Sequence, residues 1–296
     1  MRAPQKMFDL ILNVAKNDER IRAVTLAGSR VNKNCPVDIY QDFDITFIVN
    51  DVSPFYDNEK WIEQTFGKPS LMQKPESMQL IPPDNDGKFV YLMIFADGNR
   101  IDLCVTCKKN YDESEPFEIL LDKDNLFTKN YPAENFWNVK RPTSKLFDDC
   151  CNEFHWCLNN VAIGIARDEV SYVMQMMNYV RDMLIVMLEW YVGMENDFEV
   201  TAGKFGKYLK NFLPNSIYQR FIKTYFTAET NAMWNGSFES LYLFGEVARI
   251  VAAKLDFTYN EAEEKAIENY NEFYKELDSQ YIQDRKSTRL NSSHAT

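Results

Sequence analysis

The sequence predicts an α+β fold: an N-terminal domain with a small mixed β-sheet flanked by helices, followed by an all-helical C-terminal domain. Three observations carry that expectation. Short runs in the first half alternate apolar and polar residues with a period of two. After Arg141-Pro142 the apolar residues recur at three and four. The chain has 296 residues, 45% hydrophobic and 26% charged, enough for two modest cores and too apolar for wholesale disorder.

Met7 to Asn17 reads as a short amphipathic helix, with Met7, Leu10, Ile11, Val14 and Ala15 on one stripe. Ile21 to Ala27 is a strand ending at Gly28, and Asp42 to Val49 a second with clear alternation. Trp61 to Phe66 gives a turn or two of helix. Phe89–Ala96 and Arg100–Cys107 form a hairpin about Asp97-Gly98-Asn99, and Glu118–Leu121 adds a strand. From there Phe147, Cys150, Phe154, Cys157 and Val161 mark a helix over 144–166, and apolar positions from Val170 to Val192 a second. Further helices are expected at Gly203–Phe212, Ser216–Phe226, Asn231–Leu255 and Asn260–Ile282. The expected domains are 1–140 and 141–285. Residues 286–296 change composition abruptly, lack periodicity, and read as a vector- or adapter-derived tail.

The formal net charge is −11; without Lys286 and Arg289 of the tail, 31 basic residues face 44 acidic ones, giving −13. That balance leaves little with which to build a basic face for nucleic acid and favours a small cationic partner. There are two histidines, His155 and His294, which excludes Ser-His-Asp hydrolases and His-rich metal sites. His155 lies beside the apolar stripe of its helix and is expected at the surface. Cys104-x-x-Cys107 falls in a strand, where i and i+3 point to opposite faces, so zinc is not expected. No secretory signal opens the chain, and the longest apolar run, Met183–Leu188, cannot span a bilayer. Six scattered cysteines are then free thiols of a cytoplasmic protein. The oligomeric state, monomer or dimer, is left open.

Neither G-x-x-x-x-G-K-[ST] nor G-x-G-x-x-G is present. Instead Gly28-Ser29-Arg30 ends one strand and Asp42-Phe43-Asp44 opens the next. Alternation puts Asp42, Asp44 and Thr46 on one face, with Phe43, Ile45 and Phe47 toward the core. Asp102, between Ile101 and Leu103, supplies a third carboxylate. Taken alone, D-x-D on a strand is commonly a solvated face, and Gly-Ser an ordinary turn. Their ordered combination suits Mg²⁺, whose hard-oxygen chemistry bridges carboxylates to substrate phosphates, and in-line attack on a phosphoryl group.

That order resembles the polymerase-β-type nucleotidyltransferase superfamily. More closely, Asn17-Asp-Glu-Arg-Ile-Arg22, Thr25-Leu-Ala-Gly-Ser-Arg30, Gln41-Asp-Phe-Asp44, Lys140-Arg-Pro-Thr143 and Phe147-Asp-Asp-Cys-Cys-Asn-Glu-Phe154 resemble the aminoglycoside 6-adenylyltransferases, the streptomycin-inactivating enzymes. The resemblance runs across residues 1–285. It implies transfer of AMP from Mg-ATP to a streptomycin hydroxyl, releasing pyrophosphate and conferring antibiotic resistance. It further implies that Asp42 and Asp44 hold Mg²⁺, that Gly28, Ser29 and Arg30 meet the triphosphate, and that Asp102 is metal ligand or base. Ala27 stands where the family carries Glu. Rival readings are a different acceptor on the same fold (a lincosamide, an RNA end or a protein), or a nucleotide-binding module without turnover.

Two further sets belong to the helical domain. Lys204 and Lys207 in Thr201-Ala-Gly-Lys-Phe-Gly-Lys-Tyr208 stand one turn apart at an expected helix start, as a phosphate clamp or as two solvated lysines. Asp149, Glu153, Trp156 and Asn160 share a stripe that would bind a guanidinium, or else is a solvated face. Streptomycin carries two guanidinium groups, and the expected acceptor site lies between the two domains.

Overall fold

The structure, a computed structural model, describes residues 1–128 and 135–293, with side chains described as far as residue 278. It contains two compact units, Met1–Phe136 and Trp137–Thr296.

In the first unit, α1 (Pro4–Asn17) starts with proline in its first turn, where the missing N–H costs nothing. The strands are β1 (Ile21–Leu26), β2 (Phe43–Val49), β3 (Leu71–Gln73), β4 (Lys88–Ile94), β5 (Arg100–Cys107) and β6 (Glu118–Asp122), with α2 (Glu59–Phe66) between β2 and β3. Asn58 caps α2, its side chain accepting the Trp61 N–H at 3.1 Å. The sheet runs β3-β4-β5-β2-β1-β6. Only β2 and β5 of these pair in parallel, which makes the sheet mixed. β3 was not expected: three residues at a sheet edge, two of them exposed, carry no readable period.

The period-two pattern does its sorting here. Phe43, Ile45 and Phe47 are buried against α1 and α2, with Met7, Ile11, Trp61 and Ile62. The opposite face of the sheet carries a smaller apolar cluster, Ala23, Ile48, Phe117 and Phe127, packed with Tyr111. Beyond it lie the half-buried aspartates of β2 and β5.

The second unit comprises α3 (Ser144–Ala166), α4 (Val170–Glu195), α5 (Leu209–Phe212), α6 (Asn215–Lys223), α7 (Thr230–Leu255) and α8 (Glu261–Ser293). Thr143 caps α3 through the Leu146 N–H at 3.2 Å. Its core is one continuous cluster in which Phe154 stacks on Phe244 with ring centroids 3.8 Å apart. The helix expected at Gly203–Phe212 is not continuous. Gly203 and Gly206 sit at φ +70 and +69 and Phe205 at +58, so residues 204–206 make one irregular turn and only α5 is helical. α8 runs past Ile282 because nothing in Gln283–Leu290 is Gly or Pro. Residues 294–296, with His294, and the side chains of the 286–293 tail lie outside the described residues. No helix among the described residues is long and apolar enough to cross a membrane.

Candidate active site

Gly28, Ser29 and Arg30 form a single tight turn after β1. Gly28 has φ +67, and a Cβ placed on it would fall 1.9 Å from Asp44 Oδ2. Glycine is what lets the turn close onto that carboxylate. The Ala27 N–H donates to the Asp44 carbonyl at 2.9 Å and docks the turn against β2. Ser29 Oγ is buried without a hydrogen-bond partner, a cost that a ligand acceptor would remove. Gly28→Ala is therefore expected to lower stability by about 1–2 kcal/mol through the left-handed backbone alone, read from the urea midpoint. Wild-type stability in that variant would mean the turn is not held where it stands.

Parallel pairing of β2 with β5 sets Asp44 directly opposite Asp102. Asp42 lies two residues before Asp44. The three carboxylates each offer an oxygen within 4.8 Å of the others. Burial, then repulsion from Asp42 and Asp102, pushes the Asp44 carboxyl up to about 7. Such a row is costly unless a cation neutralises it, and hard oxygen donors beside a closely approaching glycine turn fit Mg²⁺ with a phosphate. Among the described residues this is the one group of three or more His, Cys, Asp or Glu spaced to hold an ion; Cys104 and Cys107 form none.

One residue of the site escaped sequence reasoning. Arg100, at the start of β5, donates from Nε to Asp102 Oδ1 at 2.8 Å and from a terminal nitrogen to Oδ2. Its Nε also lies 3.8 Å from Asp42 Oδ2. Its place two residues before Asp102 on the same strand face was the available signal.

Arg30 was expected to face a triphosphate. Its Nε donates to the Asp42 carbonyl at 2.6 Å and a terminal nitrogen to the Gln41 carbonyl at 2.8 Å. The guanidinium also lies 3.9 Å from the Phe43 ring centroid. So placed, Arg30 fixes the 28–30 turn to the strand that carries the acids.

In the helical unit, Lys204 and Lys207 are exposed on the irregular 203–208 segment, which leads into the four-residue α5 rather than into a long helix. Asp149, Glu153 and Trp156 lie on an exposed stripe of α3; Asp149 is bonded to Lys145, and Glu153 accepts from the Cys157 thiol at 3.3 Å. His155 is not at the surface. It is 1% exposed, with Nδ1 3.2 Å from Glu263 Oε1 and Nε2 3.5 Å from the Tyr259 hydroxyl, because α8 packs over α3. Glu189 on α4, which the sequence did not single out, is half-buried, and desolvation pushes its carboxyl up to about 7.

A helix-backed sheet that brings a glycine-serine turn onto two strand-borne aspartates and a third just ahead of its strand is the framework of a nucleotidyltransferase. Comparison with known proteins narrows the class. The family model for streptomycin adenylyltransferase matches residues 1–273. An aminoglycoside 6-adenylyltransferase of Campylobacter jejuni is 40% identical over 91% of this chain and 95% of its own. One from Bacillus subtilis is 38% identical over 92% and 98%, and one from Staphylococcus aureus 32% over 91% and 98%. A crystal structure of an aminoglycoside 6-adenyltransferase from Bacillus subtilis aligns over 93% of this chain and 99% of that one, at 34% identity and a TM-score of 0.47. The chain belongs to the streptomycin adenylyltransferase family.

Proposed function

We propose that this enzyme transfers AMP from Mg-ATP to a hydroxyl of streptomycin in the cytoplasm, releasing pyrophosphate and thereby inactivating the drug. The observation that carries the reading is the row Asp42, Asp44 and Asp102 meeting the Gly28-Ser29 turn, on a chain 40% identical to an aminoglycoside 6-adenylyltransferase.

Asp42 and Asp44 would hold Mg²⁺, which supplies neutralisation of charge on the phosphate oxygens. The chain's own groups do the rest. The Gly28 turn brings main-chain and Ser29 donors to the phosphates without a side chain in the way. The acceptor oxygen forms a bond to the α-phosphorus while the bond to the bridging oxygen breaks, and that electron pair leaves with pyrophosphate. Asp102 would ligate the ion or take the hydroxyl proton. Lys204 and Lys207, exposed in the helical unit, are the candidate cations for the nucleotide phosphates.

Asp149, Glu153 and Trp156 are assigned to recognition of the cationic acceptor by the helical unit. Both acids are exposed, and screening by solvent holds their contribution down. Asp149→Asn with Glu153→Gln is expected to raise the streptomycin KM about fivefold at low salt and to leave the ATP KM alone. An unchanged streptomycin KM makes the stripe a solvated helix face. The reading as a whole is tested by mass detection of a streptomycin-AMP product from enzyme, Mg-ATP and streptomycin. A panel with a lincosamide and an RNA end in place of streptomycin identifies a different acceptor.

A further inference from the structure

The sheet face that carries the acids does not end with them. Thr46 and Cys104 are register partners, each two residues further along β2 and β5 than Asp44 and Asp102. That spacing sets them about 7 Å down the strands on the same face. With Ala27, the residue before the phosphate turn, they floor a cavity of about 290 Å³. Tyr111 and Phe117 wall it. The Tyr111 ring is fixed in place: its hydroxyl donates to Thr25 Oγ1 at 3.0 Å, and it meets Phe117 edge-on at 5.3 Å.

The charges around the cavity are unequal. Asp86, Asp112 and Glu115 line it against a single cation, Lys88, and Lys88 is bonded to Asp86 at 2.6 Å. Among the described residues no Lys or Arg stands within ion-pair distance of Asp112 or Glu115; Asp112 accepts from the Ser114 side chain and from its N–H, the latter at 2.8 Å, and feels Lys88 only at longer range. Two carboxylates, hydroxyl acceptors on the floor and aromatic walls repel a phosphate and give a neutral base no charge to answer. They suit a flat, weakly hydrated cation with donors in its plane and faces that stack on rings. A guanidinium is that group.

We propose that the Thr46–Cys104 cavity is the subsite for a guanidinium-bearing ring of the acceptor. The proposal rests on the aminoglycoside reading above and adds to it the orientation of the sugar. Seating one guanidinium beyond the acid row presents the hydroxyl on the adjacent ring carbon to Asp44 and Asp102. The choice of hydroxyl then follows from the distance between the cavity floor and the acids.

The test uses the full chain. Asp112→Asn with Glu115→Gln changes two exposed rim residues, leaves the fold alone, and is expected to raise the streptomycin KM about tenfold at low salt with kcat and ATP KM within about twofold. Calorimetric titration of streptomycin without ATP is expected to show the same rise in Kd, independent of turnover. Cys104→Met fills the floor and is expected to weaken streptomycin binding further. If that variant does not fold, judged by circular dichroism, the rim variant decides alone. Unchanged streptomycin KM and Kd in the rim variant overturn the proposal. A rise in ATP KM with streptomycin binding intact gives the cavity to the nucleotide and overturns it equally. Wild-type chain that binds streptomycin but forms no AMP adduct refutes the reaction and leaves the cavity to be judged on the Kd.

Discussion

Asp44→Asn, and separately Asp42→Asn, are expected to lower turnover by roughly three orders of magnitude or more in protein that folds normally. Asparagine matches aspartate in shape, so the strand keeps its packing: Phe43 and Ile45 remain buried behind the site. What changes is charge. Burial strips water from Asp44, which lies under the Gly28 turn with Asp42 and Asp102 beside it. In the apo protein its neutralisation relieves repulsion, so Asp44→Asn is expected to be as stable as wild type or slightly more so. The same change removes the ligand that neutralises phosphate charge during transfer. Stability and activity should therefore move apart, which a merely structural aspartate would not produce. The measurements are kcat with Mg-ATP and streptomycin, and the urea midpoint without metal. Near-wild-type kcat in either variant would sink the metal assignment.

How much of this could be read from the residues depends on the range of the interaction involved. The period-two run was legible, since side-chain direction on a strand is local; it put Asp44 and Thr46 on the half-buried face where they are found, although the strand begins at Phe43 and Asp42 precedes it. The hairpin about Asp97-Gly98-Asn99 was legible for the same reason, as β4 and β5 pair across it. That Asp102 would stand directly opposite Asp44 was not, because the parallel register of β2 with β5 spans α2, β3 and β4. The cavity was hidden likewise: its walls come from the segment after β5 folding back over Thr46 and Cys104. At residues 203–208 the local signal existed and was misread. Two glycines three apart, both at positive φ, break a helical run, and only the four residues of α5 that follow them are α-helical. His155 was misplaced for a tertiary reason: α3 alone leaves it beside the apolar stripe, and α8 covers it.

Asp102→Asn is expected to lower kcat about a hundredfold or more while the ATP KM moves little. The residue is well placed for so selective a loss. Ile101 and Leu103 anchor β5 in the core on either side, so the backbone at 102 does not depend on the carboxylate. The carboxylate itself is gripped through both oxygens by Arg100, which turns it toward Asp42 and Asp44 and sets its direction before substrate arrives. An amide accepts through one oxygen only, so the variant loses charge and orientation together. The two candidate roles then separate on a second measurement. A metal ligand, once lost, raises the Mg²⁺ concentration needed for half-maximal rate. A proton acceptor, once lost, leaves that concentration alone and abolishes the acidic limb of the pH–rate profile. Arg100→Ala is the companion variant: it keeps the Asp102 charge, loses the grip, and should reproduce part of the kcat loss. Full kcat per folded molecule in Asp102→Asn, with only the melting temperature lowered, would make the Arg100–Asp102 pair a strut of the sheet and leave the chemistry to Asp42 and Asp44.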